Sequence, residues 1–166
     1  MEYNPSWESL KKHSNSEWFL DAKFGIYAHW GIYLVPAYGN EWYAKKMYAK
    51  RENSDVYQYH LKNYGLPSEF GYKDFVPDFT AENFDPEEWA ELIKKSGAKY
   101  AGIAVVHHDG FCLWDSEITR WNSKNMGPKR DLYGELVKSL RNINLKIIAT
   151  FHHIRTVFTG KLYNYR

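Results

Sequence analysis

Residues Tyr100 to Val106 read Tyr-Ala-Gly-Ile-Ala-Val-Val, apolar at every position. Such a run neither alternates nor follows a helical period. As a strand it must be covered on both faces, the situation of a parallel strand inside an α/β sheet. Leu145 to Phe151 repeats the pattern, and Phe24 to Trp30 supplies a shorter run. Helix signals fill the intervals. Asp85 is an N-cap, with Pro86 in the first turn and Glu87 and Glu88 complementing the helix dipole. Trp89, Leu92 and Ile93 form its expected buried stripe, and Gly97 closes it after Lys94-Lys95. Asp131 caps a second helix whose Leu132, Leu136, Val137 and Leu140 face inward. The order is β-loop-α-β-loop-α-β, which implies parallel strands joined by right-handed crossovers.

Before the first strand, residues 6 to 19 suggest one capping helix with Trp7, Leu10, Trp18 and Phe19 on it. After it comes a long aromatic excursion to about residue 80. Residues 40 to 50 look helical, and Ser54 or Asp55 caps a helix through Leu61 that ends at Tyr64-Gly65-Leu66-Pro67. An insertion of this length between strands is usually functional.

All three strand candidates end in histidine: His29, His107-His108 and His152-His153, five of the seven in the chain. Ligand sites in α/β sheets and barrels gather at the carboxyl ends of the strands, so these histidines mark a site. Chelation by one strand needs His-x-His, because residues two apart share a face. Adjacent histidines point to opposite sides, so each pair sends one imidazole inward while it remains regular strand. One imidazole from each strand is still a zinc-like set. Hydrogen bonding to substrate hydroxyls, or simple buttressing of strand ends, are the other uses.

Glu41, Asp109 and Asp115 are the carboxylates expected near this face. Glycoside hydrolysis uses a pair of such groups. Glu41 lies beside Trp42 in the long loop, whereas Asp109 precedes Gly110 and suits a turn. Trp30, Trp42 and Trp114 are expected on the same side, where an indole stacks on the apolar face of a sugar. Neither a serine nucleophile elbow nor a phosphate-cradling glycine loop is present. Cys112, the only cysteine, excludes an intrachain disulfide and reads as a small buried thiol.

The net charge of +2 is scattered, with Lys45-Lys46 and Lys50-Arg51 as its densest patch, which argues against a nucleic-acid partner. No apolar run approaches a membrane span, and no secretory signal is visible, so the expected location is cytoplasmic. The 166 residues read as one domain, 1–166, without a linker or repeat. A (β/α)8 barrel needs roughly 200 residues or more. The fold expected is therefore α/β, the N-terminal portion of a TIM-like barrel with its first three strands. Its open strand edges favour association with the remainder of a larger barrel or with further copies.

Several segments then become specific. Lys23-Phe24-Gly25-Ile26-Tyr27-Ala28-His29-Trp30-Gly31-Ile32-Tyr33 with Val35-Pro36 resembles the first barrel strand of the glycoside hydrolase family 29 α-L-fucosidases. Asn40-Glu41-Trp42-Tyr43, Phe79-Thr80-Ala81-Glu82 with Trp89, His107-His108-Asp109-Gly110-Phe111, and Asn122-Ser123 with Gly127-Pro128-Lys129-Arg130-Asp131-Leu132 resemble the same family in the same order. The resemblance implies a catalytic barrel hydrolysing terminal α-L-fucose from a fucosylated glycan with retention, using no metal or organic cofactor. It implies that His29, Glu41, Trp42, His107 and His108 line the fucose pocket, and that Glu41 assists acid/base catalysis in some members. Some members carry a tyrosine where Thr150 stands, so the roles of Thr150 and His153 are open. The family's nucleophile is an aspartate after the fourth strand, beyond the motifs present here. The chain alone is therefore expected to be inactive. An inactive fucose-binding fragment or pseudoenzyme, and a metal-dependent barrel hydrolase, are the competing readings.

Overall fold

The three apolar runs pair as one parallel sheet in the order β1–β2–β3, formed by Gly25–Ala28, Tyr100–Val106 and Lys146–Phe151. This is seen in a computed structural model, which describes residues 3–50 and 54–152. Gly25 pairs with Tyr100 and Tyr100 with Lys146, so all three strands start level. β2 is central, and Ala101 to Val106 are buried without exception. β3 departs from the expected two-sided burial: Lys146, Ala149 and Phe151 are exposed, because its outer edge has no neighbouring strand among the described residues.

The N-terminal segment is two short helices, α1 (Trp7–Leu10) and α2 (Glu17–Ala22), rather than one. Ser14-Asn15-Ser16 breaks the pattern with residues that favour caps over helix interiors. Neither helix buries a residue, and Trp7 is 80% exposed. α2 still closes the amino-terminal end of the sheet. Its Trp18 and Phe19 rings lie 6.4 and 5.6 Å from Tyr100, and Lys146 reaches over Trp18.

In the excursion, α3 is shorter than the expected 40–50 stretch, covering Tyr43–Lys46, and it buries Tyr43 and Ala44. α4 (Asp55–Tyr64) starts where Ser54 accepts a hydrogen bond from the Tyr57 amide. His60, fully buried in α4, bridges the Tyr43 hydroxyl at 3.0 Å and the Phe70 carbonyl at 2.9 Å. It is a structural histidine. α5 (Pro86–Lys95) begins with Asp85 accepting from the Glu87 and Glu88 amides. Its buried stripe is Trp89, Ala90 and Ile93, whereas Leu92 is 56% exposed. With 3.6 residues per turn, Ala90 and Leu92 flank the stripe of Trp89 and Ile93 symmetrically, and the helix is rolled so that the Ala90 side faces the core.

α6 (Leu132–Asn142) is capped by Asp131 and buries Leu132, Leu136 and Leu140, with Val137 half-buried. It lies beside α5 and is tied to β3 by the Tyr133 hydroxyl, which donates to the Ile148 carbonyl. Arg130 pairs with Glu135 and donates to the Ala81 and Phe84 carbonyls, pinning the excursion to the start of α6. Among the described residues, no helix is long and apolar enough to cross a membrane.

Gly102 sits where β2 and β3 approach most tightly. A Cβ there would lie 2.0 Å from the Ile148 carbonyl oxygen, which is backbone and cannot turn aside. Gly102→Ala is expected to destabilise the chain by about 2 kcal/mol, the range of a core forced to overpack, read as a lower urea midpoint. An unchanged midpoint would show that the strands separate freely.

Candidate functional site

Each strand ends at its histidine. β1 stops at Ala28 before His29, β2 at Val106 before His107 and His108, and β3 at Phe151 before His152. The four imidazoles converge. Ring centroids lie 5.3 Å apart for His29–His107, 5.1 Å for His29–His152 and His107–His152, and 4.6 Å for His107–His108. His108 also reaches His152 at 5.7 Å. Both members of the 107–108 pair therefore join the cluster, against the expectation of one per pair. Alternation does not govern the pair, because β2 ends at Val106 and the chain turns from His107, whose carbonyl accepts from the Gly110 amide. An irregularity in β2 just before it sets the direction in which the turn leaves. Ala104 pairs with Thr150 and Val106 with the next residue, Phe151, so two steps of β2 match one of β3. The Val105 carbonyl instead accepts from the Leu113 amide. Such a bulge re-aims the side chains that follow it. His153, the other doubtful site residue, lies outside the described residues.

The excursion supplies the remaining wall. Trp42, whose amide donates to the Asn40 side chain, stacks on His108 at 4.3 Å and 22°. Glu41, half-buried, acts electrostatically on His108 and His152. Trp30 and Trp114 do not belong to this wall. Trp30 packs among Phe79, Phe84 and Trp89, and Trp114 meets Phe151 edge-on. Both indoles are partly buried and packed against the core. Asp115 is exposed.

Three site residues escaped the sequence reading. The Tyr27 hydroxyl lies 3.0 Å from His152 Nε2, across 125 positions of the chain. Tyr33, from the turn after β1, places its buried ring 5.1 Å from His107. Tyr72 donates from its hydroxyl to Asp109 at 2.7 Å. No local signal marks any of these tyrosines, because each partner is distant in sequence. His152 is among the strand-end histidines that mark the site, although the residues expected to line the pocket leave it out.

Burial, and then the neighbouring His108, His152 and His29, push the His107 imidazole down to about 3. Burial also lowers His108 and His152, with other imidazoles adding to it and Glu41 opposing. His107, His108 and His152 are therefore neutral at physiological pH, and each of these rings offers one donor and one acceptor. Nδ1 of His107, Nδ1 of His108 and the Tyr33 hydroxyl are buried and make no hydrogen bond to the described residues. Unpaired buried polar atoms are costly, and a ligand's hydroxyls satisfy them.

Asp109 works behind the cluster. Its Oδ1 accepts from the Phe111 amide at 2.9 Å, making the expected turn, and its carbonyl accepts from the Trp121 indole. Fully buried, its carboxyl is pushed up to about 6 by desolvation, against the hydrogen bonds from Tyr72 and Phe111. Cys112 is buried as expected, and burial pushes its thiol up to about 12, so it is inert.

Neutral imidazoles, an indole face and one carboxylate at the carboxyl ends of parallel strands make a site suited to a polyhydroxylated ring. Such a ring has hydroxyls to bond and apolar C–H faces to stack. Comparison with known proteins agrees with that class. The profile of the family described as Alpha-L-fucosidase matches residues 1–165, and the chain belongs to that family. It is 46% identical to tissue alpha-L-fucosidase of Rattus norvegicus over 145 residues, 87% of this chain and 31% of that protein. Against tissue alpha-L-fucosidase of Homo sapiens the identity is 45%, covering 87% and 30%. The crystal structure of Thermotoga maritima alpha-fucosidase superposes with a TM-score of 0.81 at 45% identity, over 90% of this chain and 37% of that one. A structure of that enzyme in complex with fucose gives 0.80 at 43%, with the same coverage. The chain thus spans about a third of the length of these relatives.

Proposed function

We propose that the chain is the amino-terminal part of the catalytic (β/α)8 barrel of a retaining α-L-fucosidase, acting on terminal α-L-fucose of glycoconjugates or oligosaccharides. In this reading it supplies the sugar-binding half of the site. The observation that carries the proposal is the convergence of His29, His107, His108 and His152, one or two from each strand end, beside Trp42 and Glu41. The imidazoles hydrogen-bond the hydroxyls of fucose, and Trp42 packs on its apolar side. Asp109 and Tyr72 hold the loop that carries the histidine pair.

Retaining hydrolysis needs two carboxyl groups roughly 5 Å apart, one as nucleophile and one as acid/base. Among the described residues, Glu41 is the one carboxylate that faces the cluster, since Asp109 is engaged by Tyr72 and Phe111. The 166-residue chain alone should bind fucose without cleaving an aryl α-L-fucoside. Saturation-transfer NMR with L-fucose tests the first half. Binding is expected, weakened about fivefold by Trp42→Ala, the ~1 kcal/mol that an aromatic face contributes beyond its area. The absence of any transfer would remove the sugar site. Robust turnover abolished by Glu41→Gln would show that a second carboxylate is not needed.

A further inference from the structure

His29, His107 and His152 come from three different strands, yet each offers a ring nitrogen within 4.8 Å of the other two. We propose that these three imidazoles bind a borderline divalent cation of the Zn2+, Co2+ and Cu2+ class, and that the cation and a sugar compete for them. The cation is a competitor for the pocket, not a cofactor of the reaction.

Three imidazoles on one side of a cavity, with a fourth position open, form the donor set that holds zinc-class ions. Metal–nitrogen bonds of about 2.0–2.1 Å place tetrahedral nitrogens roughly 3.4 Å apart, so the rings must close by about an ångström. Two of them have the freedom to do so. His29 is exposed and His152 half-buried, whereas His107 is buried and acts as the fixed anchor. His107 also carries a buried Nδ1 with no hydrogen bond among the described residues. The Tyr27 hydroxyl on His152 Nε2 orients that ring, the task of the outer partners of ligating histidines. Glu41 acts on the same face and supplies a compensating negative charge. No carboxylate belongs to the triad, so hard oxygen-seeking ions such as Mg2+ and Ca2+ lack their ligands.

The cation site stands on the geometry alone; the competition rests on the proposed sugar site. Both are read with Co2+, titrated into the chelator-treated 166-residue chain and followed by its visible ligand-field bands. One Co2+ per chain is expected, displaced by Zn2+ and untouched by excess Mg2+. His29→Ala and His152→Ala should each weaken binding by at least the ~10–100-fold that loss of an outer-shell partner costs. His13→Ala, on the surface beside Tyr3, should change nothing. Circular dichroism of each variant confirms the fold, and His29→Asn and His152→Asn give a second pair of the same sign. No stoichiometric binding by the unaltered chain, or binding retained in both alanine variants, overturns the site. Added L-fucose should bleach the bands. If L-fucose binds the metal-free chain but leaves the bands intact, competition falls and the cation site stands. If Co2+ binds and the metal-free chain shows no sugar contact, it is the sugar reading that fails.

Discussion

Asp109→Ala should destabilise the chain by about 2–6 kcal/mol when measured near pH 4, the sum of two buried hydrogen bonds lost at roughly 1–3 kcal/mol each. The donors are the Tyr72 hydroxyl and the Phe111 amide. The acidic condition matters, because it separates hydrogen bonding from charge. Desolvation pushes the Asp109 carboxyl from 3.8 up to about 6. Its folded pKa is raised, so the native state holds this proton more tightly than the unfolded chain does. The resulting penalty is absent below about pH 4 and complete above about pH 6, on the order of 3 kcal/mol. Near neutrality, removing the charge therefore offsets much of what the lost hydrogen bonds contribute. Asp109→Asn keeps an acceptor for Phe111, and a hydroxyl partner for its amide. It should stay near the parent's stability at pH 4 and lose the decline toward pH 6. Urea midpoints between about pH 4 and 6 decide the matter, and an alanine variant as stable as the parent at pH 4 would refute the role given to Asp109.

The histidines impose the opposite slope. The His107 imidazole is pushed down to about 3 from 6.5, and His60, His108 and His152 are lowered as well. A depressed folded pKa means that the unfolded chain takes up protons first. The stabilisation is complete above about pH 6.5 and is lost as pH falls toward 3, on the order of 4–5 kcal/mol for His107 alone. Four histidines outweigh one carboxyl, so the chain should lose stability steeply between about pH 6 and 4 despite Asp109. In chelator-containing buffer, His107→Gln should flatten that limb. A parent whose urea midpoint holds level down to pH 4 would contradict the buried, neutral state of His107.

Local chemistry made part of this molecule readable in advance. β2 runs from Tyr100 to Val106 as its unbroken apolar string implied, and α5 and α6 start where Asp85 and Asp131 cap them. His29, Trp42, His107 and His108 meet as the strand-end pattern and the family resemblance suggested. What was hidden depends on partners far away in the chain. Tyr27 owes its place to His152, Tyr72 to Asp109, and Tyr33 to His107. The solvent-facing Leu92 shows the converse limit, since a leucine near a helical stripe carries no mark of which neighbour wins the centre. Trp30 and Trp114 looked like ligand platforms only because sequence does not say which side of the sheet a strand end is packed from behind.

The extra residue at Val105 makes β2 a ruler whose length matters more than its composition. Deleting one residue between Tyr100 and Val106 would restore regular pairing with β3. It would also turn the histidine pair by half a strand period, carrying His107 off His29 and His152. Conservative exchanges in this segment leave that phase intact. Variation among chains that keep this pocket should therefore take the form of substitution in β2, while insertions and deletions collect in the loops on either side.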